Sequence, residues 1–336
     1  MQGLVALSCD SAAPERTATA LLEALQRRGW VRLVGPQHGS EAPLLQQPSA
    51  LWPEGPGLVL STGGSSGGRS LCLHPLTNLE RSAEVCGQWL HRLGLDPETC
   101  LVWNPLPFQH VSGLMPWWRA RQWGASHAWL APDLMKQASS LLGHCRQHPG
   151  WRQRPMLLSL VPTQLRRLLT HPEGCSWLQA MDVIWVGGAA LPLDLAALSR
   201  QAALRLAPCY GATETAAMVT VQTPQAFLAG HRSCGNLSRV CVCGWIPMEH
   251  WLCIATVWLW PGLIRLEACN RWWMSRGGGA PAIWRCLAAI RSLLTCRLWV
   301  AAMVPCSPAA SPSFLRSWRN VCWCLRIGLD CLSRRC

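Results

Sequence analysis

Residues 156–188 read MLLSLVPTQLRRLLTHPEGCSWLQAMDVIWVGG, and this stretch holds one complete unit of the fold. Its two ends, residues 156–161 and 183–186, are short apolar runs that stop at proline or glycine. Apolar runs of this length with such punctuation are typical of strands that are buried on both faces. Between them, residues 164–170 have the apolar spacing of an amphipathic helix. The stretch therefore predicts a strand, a helix and a second, parallel strand.

The same alternation extends toward the N-terminus. Residues 17–28 have a helical pattern, and residues 58–60 form another short apolar run before a glycine-rich turn. Strands that alternate with helices favour a parallel or mixed sheet that is covered on both faces. We therefore predict an α/β fold, with parallel or mixed sheets flanked by helices, for residues 1–235.

The composition excludes several classes of protein. The 336 residues are 50% hydrophobic and only 14% charged, which is too apolar for a disordered chain. The N-terminus lacks the basic start and apolar core of a secretory signal, so we expect a cytoplasmic protein. The most apolar runs, residues 251–264 and 286–304, are too short or too interrupted by proline and arginine for a membrane span. Without export or a CxxC pair, the 19 cysteines are expected to be free thiols.

The net charge of +13 and the tryptophans are distributed unevenly along the chain. Residues 1–235 carry 18 Lys+Arg against 14 Asp+Glu, with 11 Trp and 8 Cys. Residues 236–336 carry 12 Arg against three acidic residues, with 10 Trp and 11 Cys. These arginines are scattered singly, so we predict no nucleic-acid binding; a basic module for RNA or a membrane surface is the alternative. The change in composition predicts a domain boundary near residue 235.

Residues 61–70 form a glycine-rich segment that reads STGGSSGGRS. Glycines let backbone N–H groups turn toward an anion, the hydroxyls add donors, and Arg69 adds a positive charge. The segment is not a Walker loop, because the GK[ST] ending is absent. It predicts a phosphate-binding loop, with a flexible Gly/Ser linker as the alternative.

Three further segments have the composition of binding loops. Residues 104–114 read NPLPFQHVSGL and contain His110, for which a purely structural hydrogen bond is the alternative. Residues 182–192 read DVIWVGGAALP, and their small residues let a flat ligand approach the backbone; a tight strand-to-helix turn is the alternative. Residues 210–215 read YGATET, which combines an aromatic ring, a hydroxyl and a carboxylate. These groups suit a stacked base, a phosphate and Mg²⁺ held by oxygen ligands.

The order and spacing of the four segments resemble the acyl-adenylate-forming (AMP-dependent) ligase superfamily. Its motif Y-G-x-T-E is matched without deviation at residues 210–214. Its phosphate loop, [ST]-S-G-[ST]-T-G-x-P-K, differs here at Gly63, lacks the proline and has Arg69 in place of lysine. Arginine keeps the positive charge and binds phosphate in bidentate fashion, so we expect ATP binding to be altered more than abolished.

Within that superfamily, residues 159–165 (SLVPTQL) and the short N-terminus look most like the o-succinylbenzoate:CoA ligases of menaquinone and phylloquinone biosynthesis. The resemblance covers residues from about 58 to 235. It implies an acid–CoA ligase that uses ATP and Mg²⁺ to activate a small-molecule carboxylate as an acyl-adenylate, and that then transfers the acyl group to CoA. Another acyl- or aryl-CoA ligase and a non-catalytic nucleotide-binding remnant are the alternatives.

The resemblance also implies roles for individual residues. The residues that would hold the ATP phosphates are Thr62, Ser65, Ser66, Gly67 and Arg69. The residues that would line the adenine pocket are Gly188, Ala189, Tyr210 and Gly211. Thr213 would contact the α-phosphate, and Glu214 would bind Mg²⁺. His110 would lie beside the carboxylate substrate, together with Gly187 and Gly188. The catalytic residues implied are thus His110, Thr213 and Glu214.

The later motifs of the superfamily, G-x-P-L-P-G, W-x-[ST]-G-D and a lid with a catalytic lysine, have no counterpart, and no lysine follows Lys136. A shift of reading frame accounts for this. In the shifted frame, each codon consists of the last base of one written codon and the first two bases of the next. Read in this way, the DNA of residues 235–244 can encode GKPLPGVRLR, and that of residues 270–285 can encode QPLVDEPGWWRTGDLA. When a Leu or Val codon that ends in TG is misread, those two bases begin a codon TGN, which encodes Cys or Trp. This explains the excess of both residues after residue 235. The hypothesis is that residues 236–336 are a frame-shifted tail with no native domain. Because the lid is missing, we expect weak or no ligase activity.

Overall fold

The computed structural model describes residues 4–27, 29–35, 55–61 and 71–231, with all their side chains except that of Glu214. Beyond residue 231 it describes the backbone of four short strands only. Two of these, β13 (Ala255–Trp260) and β14 (Leu263–Ala268), form an antiparallel pair.

The first sheet has five strands in the order β1-β2-β3-β4-β12. They are β1 (Leu4–Ser8), β2 (Trp30–Val34), β3 (Gly57–Ser61), β4 (Leu71–Pro75) and β12 (Trp245–Ile246). The pairs β1–β2 and β2–β3 are parallel, whereas β4 is antiparallel to both β3 and β12. Helix α1 (Pro14–Gln26) connects β1 to β2 and buries one apolar face that includes Leu21 and Leu25. The predicted helix at 17–28 and the predicted strand at 58–60 are therefore confirmed.

The second sheet has seven strands in the order β11-β10-β9-β8-β7-β5-β6. They are β5 (Leu101–Asn104), β6 (Ser126–Trp129), β7 (Met156–Leu160), β8 (Val183–Val186), β9 (Leu206–Ala212), β10 (Ala217–Val221) and β11 (Asn236–Leu237). The five strands from β5 to β9 are parallel, and β10 and β11 extend the sheet in antiparallel fashion. The fold is thus α/β with mixed sheets, as predicted.

Helices cover both faces of the second sheet. The remaining α-helices are α2 (Leu76–Arg92), α3 (Val111–Trp123), α4 (Ala138–Arg146), α5 (Pro162–Leu169), α6 (Pro172–Gln179), α7 (Leu193–Gln201) and α8 (Pro224–Leu228). Leu158 and Ile184 face one core cluster, whereas their neighbours Leu157, Val183 and Trp185 face another. Because side chains alternate along a strand, burial on both faces explains why these strands read as unbroken apolar runs.

Residues 156–188 contain one helix more than the sequence pattern predicts. Helix α5 ends at Leu169, and α6 begins at Pro172. Proline has no N–H and is tolerated in the first turn of a helix, so it separates the two segments. A Cβ on Gly174 would lie 2.2 Å from the carbonyl oxygen of Leu168, so the corner between the two helices admits only glycine there.

Tryptophan fills core positions throughout the described part of the chain. Trp30, Trp103 and Trp177 are among its largest fully buried side chains, each no more than 1% exposed. Trp89 and Trp185 pack against each other with ring centroids 6.0 Å apart. The sequence offers no explanation for the number of tryptophans, whereas the structure shows that Trp30, Trp103 and Trp177 supply large apolar volume to the core.

Candidate active site at one edge of the parallel sheet

Three of the four predicted binding segments follow strands of the second sheet. Residues 105–110 follow β5, residues 187–192 follow β8, and the YGATE segment lies at the end of β9. The carboxyl ends of parallel strands meet at one edge of a sheet, and ligands of α/β proteins bind there. The structure therefore brings these three segments to a common edge.

The YGATE segment is the point where the chain reverses from β9 to β10. Tyr210, Gly211 and Ala212 are the last residues of β9, and Thr213–Thr215 form a short 3-10 turn. The side chain of Thr215 fixes this turn: its hydroxyl accepts from the N–H of Ala212 at 2.9 Å and donates to the carbonyl of Ala217 at 2.7 Å. Tyr210 remains 36% exposed, so its ring is available to a flat ligand.

The turn holds backbone conformations that alanine rarely adopts. Ala216 has φ of +48° and Ala217 has φ of +91°. Such a conformation lowers the stability of the fold by about 1–3 kcal/mol per residue, and it persists only when the surrounding contacts hold it in place. A Cβ on Gly211 would lie 2.0 Å from the carbonyl oxygen of Ala217. The structure thus gives Gly211 a steric role, and its predicted contact with the nucleotide stays a prediction.

The segment after β8 exposes its backbone. Gly187 donates its N–H to the carbonyl of Leu160 at 3.2 Å, which ties the segment to the end of β7. Gly188 has φ of +80°, a conformation that favours glycine, and both Gly188 and Ala189 are exposed. The backbone at Gly188 and Ala189 is thus accessible, and the approach of a flat ligand to it stays a prediction.

His110 is exposed at the N-terminal end of helix α3, directly after the loop that follows β5. The buried amide of Asn104 holds this loop, because its Nδ2 donates to the carbonyl of Gly113 at 2.8 Å and its Oδ1 accepts from the N–H of Leu106 at 3.3 Å. Phe108 of the loop and Ala216 of the YGATE turn belong to one core cluster. The loop with His110 and the turn therefore contribute to the same hydrophobic core.

The amide of Asn104 also approaches Nε2 of His127 at 3.2 Å. Since Nδ2 is a donor, Nε2 of His127 accepts, and the proton of the ring lies on Nδ1. Burial lowers the pKa of His127 to about 3, so the ring stays neutral.

The predicted phosphate loop lies outside the described residues, and so do Thr62, Ser65, Ser66, Gly67 and Arg69. Its two flanking strands are described. Strand β3 ends at Ser61 and β4 begins at Leu71, and these two residues are paired in the antiparallel register. The loop therefore connects the two strands of a hairpin, and its role in phosphate binding stays a prediction.

Two residues at the site, His74 and Ser82, were missed by the sequence analysis. His74 is fully buried, and its Nε2 donates to the carbonyl of Thr213 at 2.7 Å. Burial lowers its pKa to about 4, against a smaller opposite effect of that hydrogen bond. The hydroxyl of Ser82 donates to the carbonyl of Ala216 at 2.8 Å. A signal for His74 was present, namely a histidine inside the apolar strand that follows the glycine-rich loop.

Within the described ranges, no three His, Cys, Asp or Glu residues are grouped as ligands for a metal ion. The seven cysteines of these ranges are free thiols, five of them buried. No helix of the described part is long and apolar enough to cross a membrane.

The neutral, buried histidines predict a loss of stability in acid. An unfolded histidine binds a proton near pH 6.5, whereas His127 in the folded chain does not until about pH 3. As the pH falls from 7 to 5 the unfolded state gains a proton that the folded state lacks, so the free energy of unfolding falls by about 2 kcal/mol for this residue. Urea denaturation of His127→Gln at pH 7 and pH 5 should show a fall in the free energy of unfolding that is smaller by about this amount. The exposed His144→Gln is the control, and an equal fall in all three proteins would contradict the prediction.

A profile of the family described as AMP-binding enzyme matches residues 5–243. The match covers well over half of the chain, and the chain belongs to the AMP-binding enzyme family. The 2-succinylbenzoate–CoA ligase of Escherichia coli (strain K12) is 32% identical over 114 residues, which are 34% of this chain and 22% of that protein.

Solved structures share the fold. The o-succinylbenzoate coenzyme A synthetase from Bacillus subtilis, in complex with AMP, has a TM-score of 0.51 at 18% identity, over 80% of this chain and 62% of that one. The ternary product complex of a malonyl-CoA ligase with methylmalonyl-CoA and AMP has a TM-score of 0.52 at 18% identity, over 81% of this chain and 65% of that one. The chain spans less than two thirds of the length of each of these relatives.

Proposed function

We propose that residues 1–235 are the adenylation domain of an ATP-dependent acid–CoA ligase. The observation that carries this proposal is that three loops follow β5, β8 and β9 at one sheet edge. They bring the exposed ring of Tyr210, the exposed backbone of Gly188 and the exposed His110 to that edge. An aromatic ring, an open backbone and a hydroxyl suit adenine and phosphate, and they are placed where α/β proteins bind nucleotides.

The proposed reaction has two steps. The carboxylate of the acid attacks the α-phosphorus of ATP, and the bond to pyrophosphate breaks to give the acyl-adenylate. The sulfur of CoA then attacks the acyl carbon, the thiol loses its proton, and AMP leaves. In this scheme Tyr210 stacks on the adenine, Thr213 donates to the α-phosphate, and His110 lies beside the carboxylate. The carboxylate of Glu214 is a ligand of the kind Mg²⁺ prefers. Mg²⁺, when bound, would neutralise charge on the phosphates.

The best-supported substrate is 2-succinylbenzoate, because the Escherichia coli ligase for that acid matches this chain over 114 residues. A second candidate is another small carboxylate, because the malonyl-CoA ligase matches the fold equally well. A pyrophosphate-release assay with 2-succinylbenzoate, benzoate and malonate decides between them, using a protein whose reading frame is restored after residue 235. Release with 2-succinylbenzoate alone supports the first substrate, and release with malonate or benzoate instead supports the second.

We further propose that residues 236–336 arise from a shifted frame, so that the chain as it stands binds nucleotide but forms CoA thioesters weakly or not at all. The support is the absence of the ribose motif and of any lysine after Lys136. Closure of a lid completes the catalytic site in enzymes of this kind, so its loss affects turnover more than binding.

Replacing Tyr210 tests the nucleotide site without affecting the fold. Because Tyr210 is 36% exposed, Tyr210→Ala should leave the chain folded. Stacking of a base on an aromatic ring contributes about 1–3 kcal/mol, so the affinity for AMP should fall roughly 5- to 150-fold, whereas Tyr210→Phe should retain it. Calorimetric titration of each full-length variant with AMP measures these affinities. The exposed Leu198→Ala on α7 is the control. Unchanged affinity in Tyr210→Ala would place the adenine elsewhere.

A further inference from the structure

The segment that follows the glycine-rich loop makes two hydrogen bonds to the backbone of the YGATE turn. Nε2 of His74, on β4, donates to the carbonyl of Thr213 at 2.7 Å. The hydroxyl of Ser82, on α2, donates to the carbonyl of Ala216 at 2.8 Å. The two carbonyls lie on either side of Glu214 and Thr215, so the bonds hold the turn at both of its ends.

This turn depends on external support. Ala216 and Ala217 have positive φ, and residues in such conformations relax unless their neighbours prevent it. Thr215 supplies support from within the turn, through bonds to Ala212 and Ala217. His74 and Ser82 supply it from a different sheet and helix, which are 139 and 134 residues away in sequence.

The same segment is tied to the glycine-rich loop. His74 lies three residues after Leu71, where the loop rejoins the sheet, which is about 10 Å along a strand. The ring of His74 is fully buried, and its hydrogen bond links β4 to the backbone of Thr213. The hairpin that carries the loop and the turn that carries Thr213 are therefore directly connected.

We propose that His74 and Ser82 are positioning residues, which fix the backbone of the YGATE turn relative to β4 and α2 so that Thr213 can hold the nucleotide. The inference rests on the proposed function, because it assigns these two residues a role at the same site. Neither side chain needs to touch the ligand, since each acts through the backbone of the turn.

Calorimetric titration of the full chain with AMP tests the inference. His74→Leu removes the donor and should lower the affinity at least tenfold. His74→Gln places an amide N–H near the position of Nε2 and should keep the affinity within about threefold of the wild type. Ser82→Ala should lower the affinity severalfold. The matched control is Ser199→Ala, because the buried hydroxyl of Ser199 also donates to a backbone carbonyl, that of Leu195 at 2.7 Å, but lies away from the turn.

The outcomes separate the two proposals. A wild-type chain that is folded but binds no AMP contradicts the proposed function and the inference together. If the wild-type chain binds AMP and a folded His74→Leu variant binds it with the same affinity, the inference is overturned and the proposed function stands. If His74→Leu does not fold, the two serine variants decide. A lower affinity for AMP in Ser82→Ala than in Ser199→Ala supports the inference, and an equal affinity in both overturns it. Rescue by His74→Gln distinguishes positioning from a general loss of stability, which the melting temperatures report independently.

Discussion

Inserting one nucleotide near codon 235 should convert this chain into an active acid–CoA ligase, with pyrophosphate release at least about 100-fold faster than in the present protein, since a single well-placed transition-state donor contributes about 10²–10³ in rate. The restored frame permits GKPLPGVRLR at residues 235–244 and the ribose motif within residues 270–285. Pyrophosphate release with ATP, Mg²⁺ and 2-succinylbenzoate measures the gain.

The control for this experiment is a chain that ends at Gly235. It keeps the proposed adenylation domain but gains none of the restored motifs, so it should remain as slow as the present protein. A restored protein that is folded and no faster than this control would contradict both the frame-shift hypothesis and the proposal that turnover requires the restored motifs.

Gly211→Ala should unfold or severely destabilise the domain, with a loss of about 3 kcal/mol or more in the free energy of unfolding. The new Cβ would lie 2.0 Å from the carbonyl oxygen of Ala217. That oxygen belongs to the backbone and accepts a hydrogen bond from the hydroxyl of Thr215 at 2.7 Å. It therefore cannot move away without opening the turn. Urea denaturation measures the loss, and AMP affinity should fall with it.

Gly143→Ala is the matched control for this substitution. Gly143 lies inside helix α4, and a Cβ there would meet nothing within 4 Å. Alanine in a helix interior is more stable than glycine by about 0.5–1 kcal/mol, so Gly143→Ala should stabilise the domain by that amount. A Gly211→Ala variant as stable as the wild type would show that the turn is not built as described.

The α/β class was predictable because doubly buried strands leave a plain pattern. The runs at 156–161 and 183–186 are β7 and β8, and the spacing between them gave helix α5. The order of strands was not predictable, since β5 lies between β6 and β7 only because of tertiary packing. Helix α6 was missed because Pro172 reads as a turn, whereas here it starts a second helix.

The site was predictable only in part. The segments around His110, Gly188 and Tyr210 were predicted separately, and their common location follows from the parallel register of the strands that precede them. His74 and Ser82 act on residues more than 130 positions away, and no local pattern encodes such a pair. Asn104 was quoted within a motif but received no role, because its bond to Gly113 exists only once the loop has folded back.

Calorimetric titration of AMP into the full chain tests whether this sheet edge binds an adenine nucleotide. We expect one AMP to bind per chain, with a dissociation constant between about 1 μM and 1 mM. A flat titration up to millimolar AMP, with a chain that is folded by circular dichroism, would contradict it.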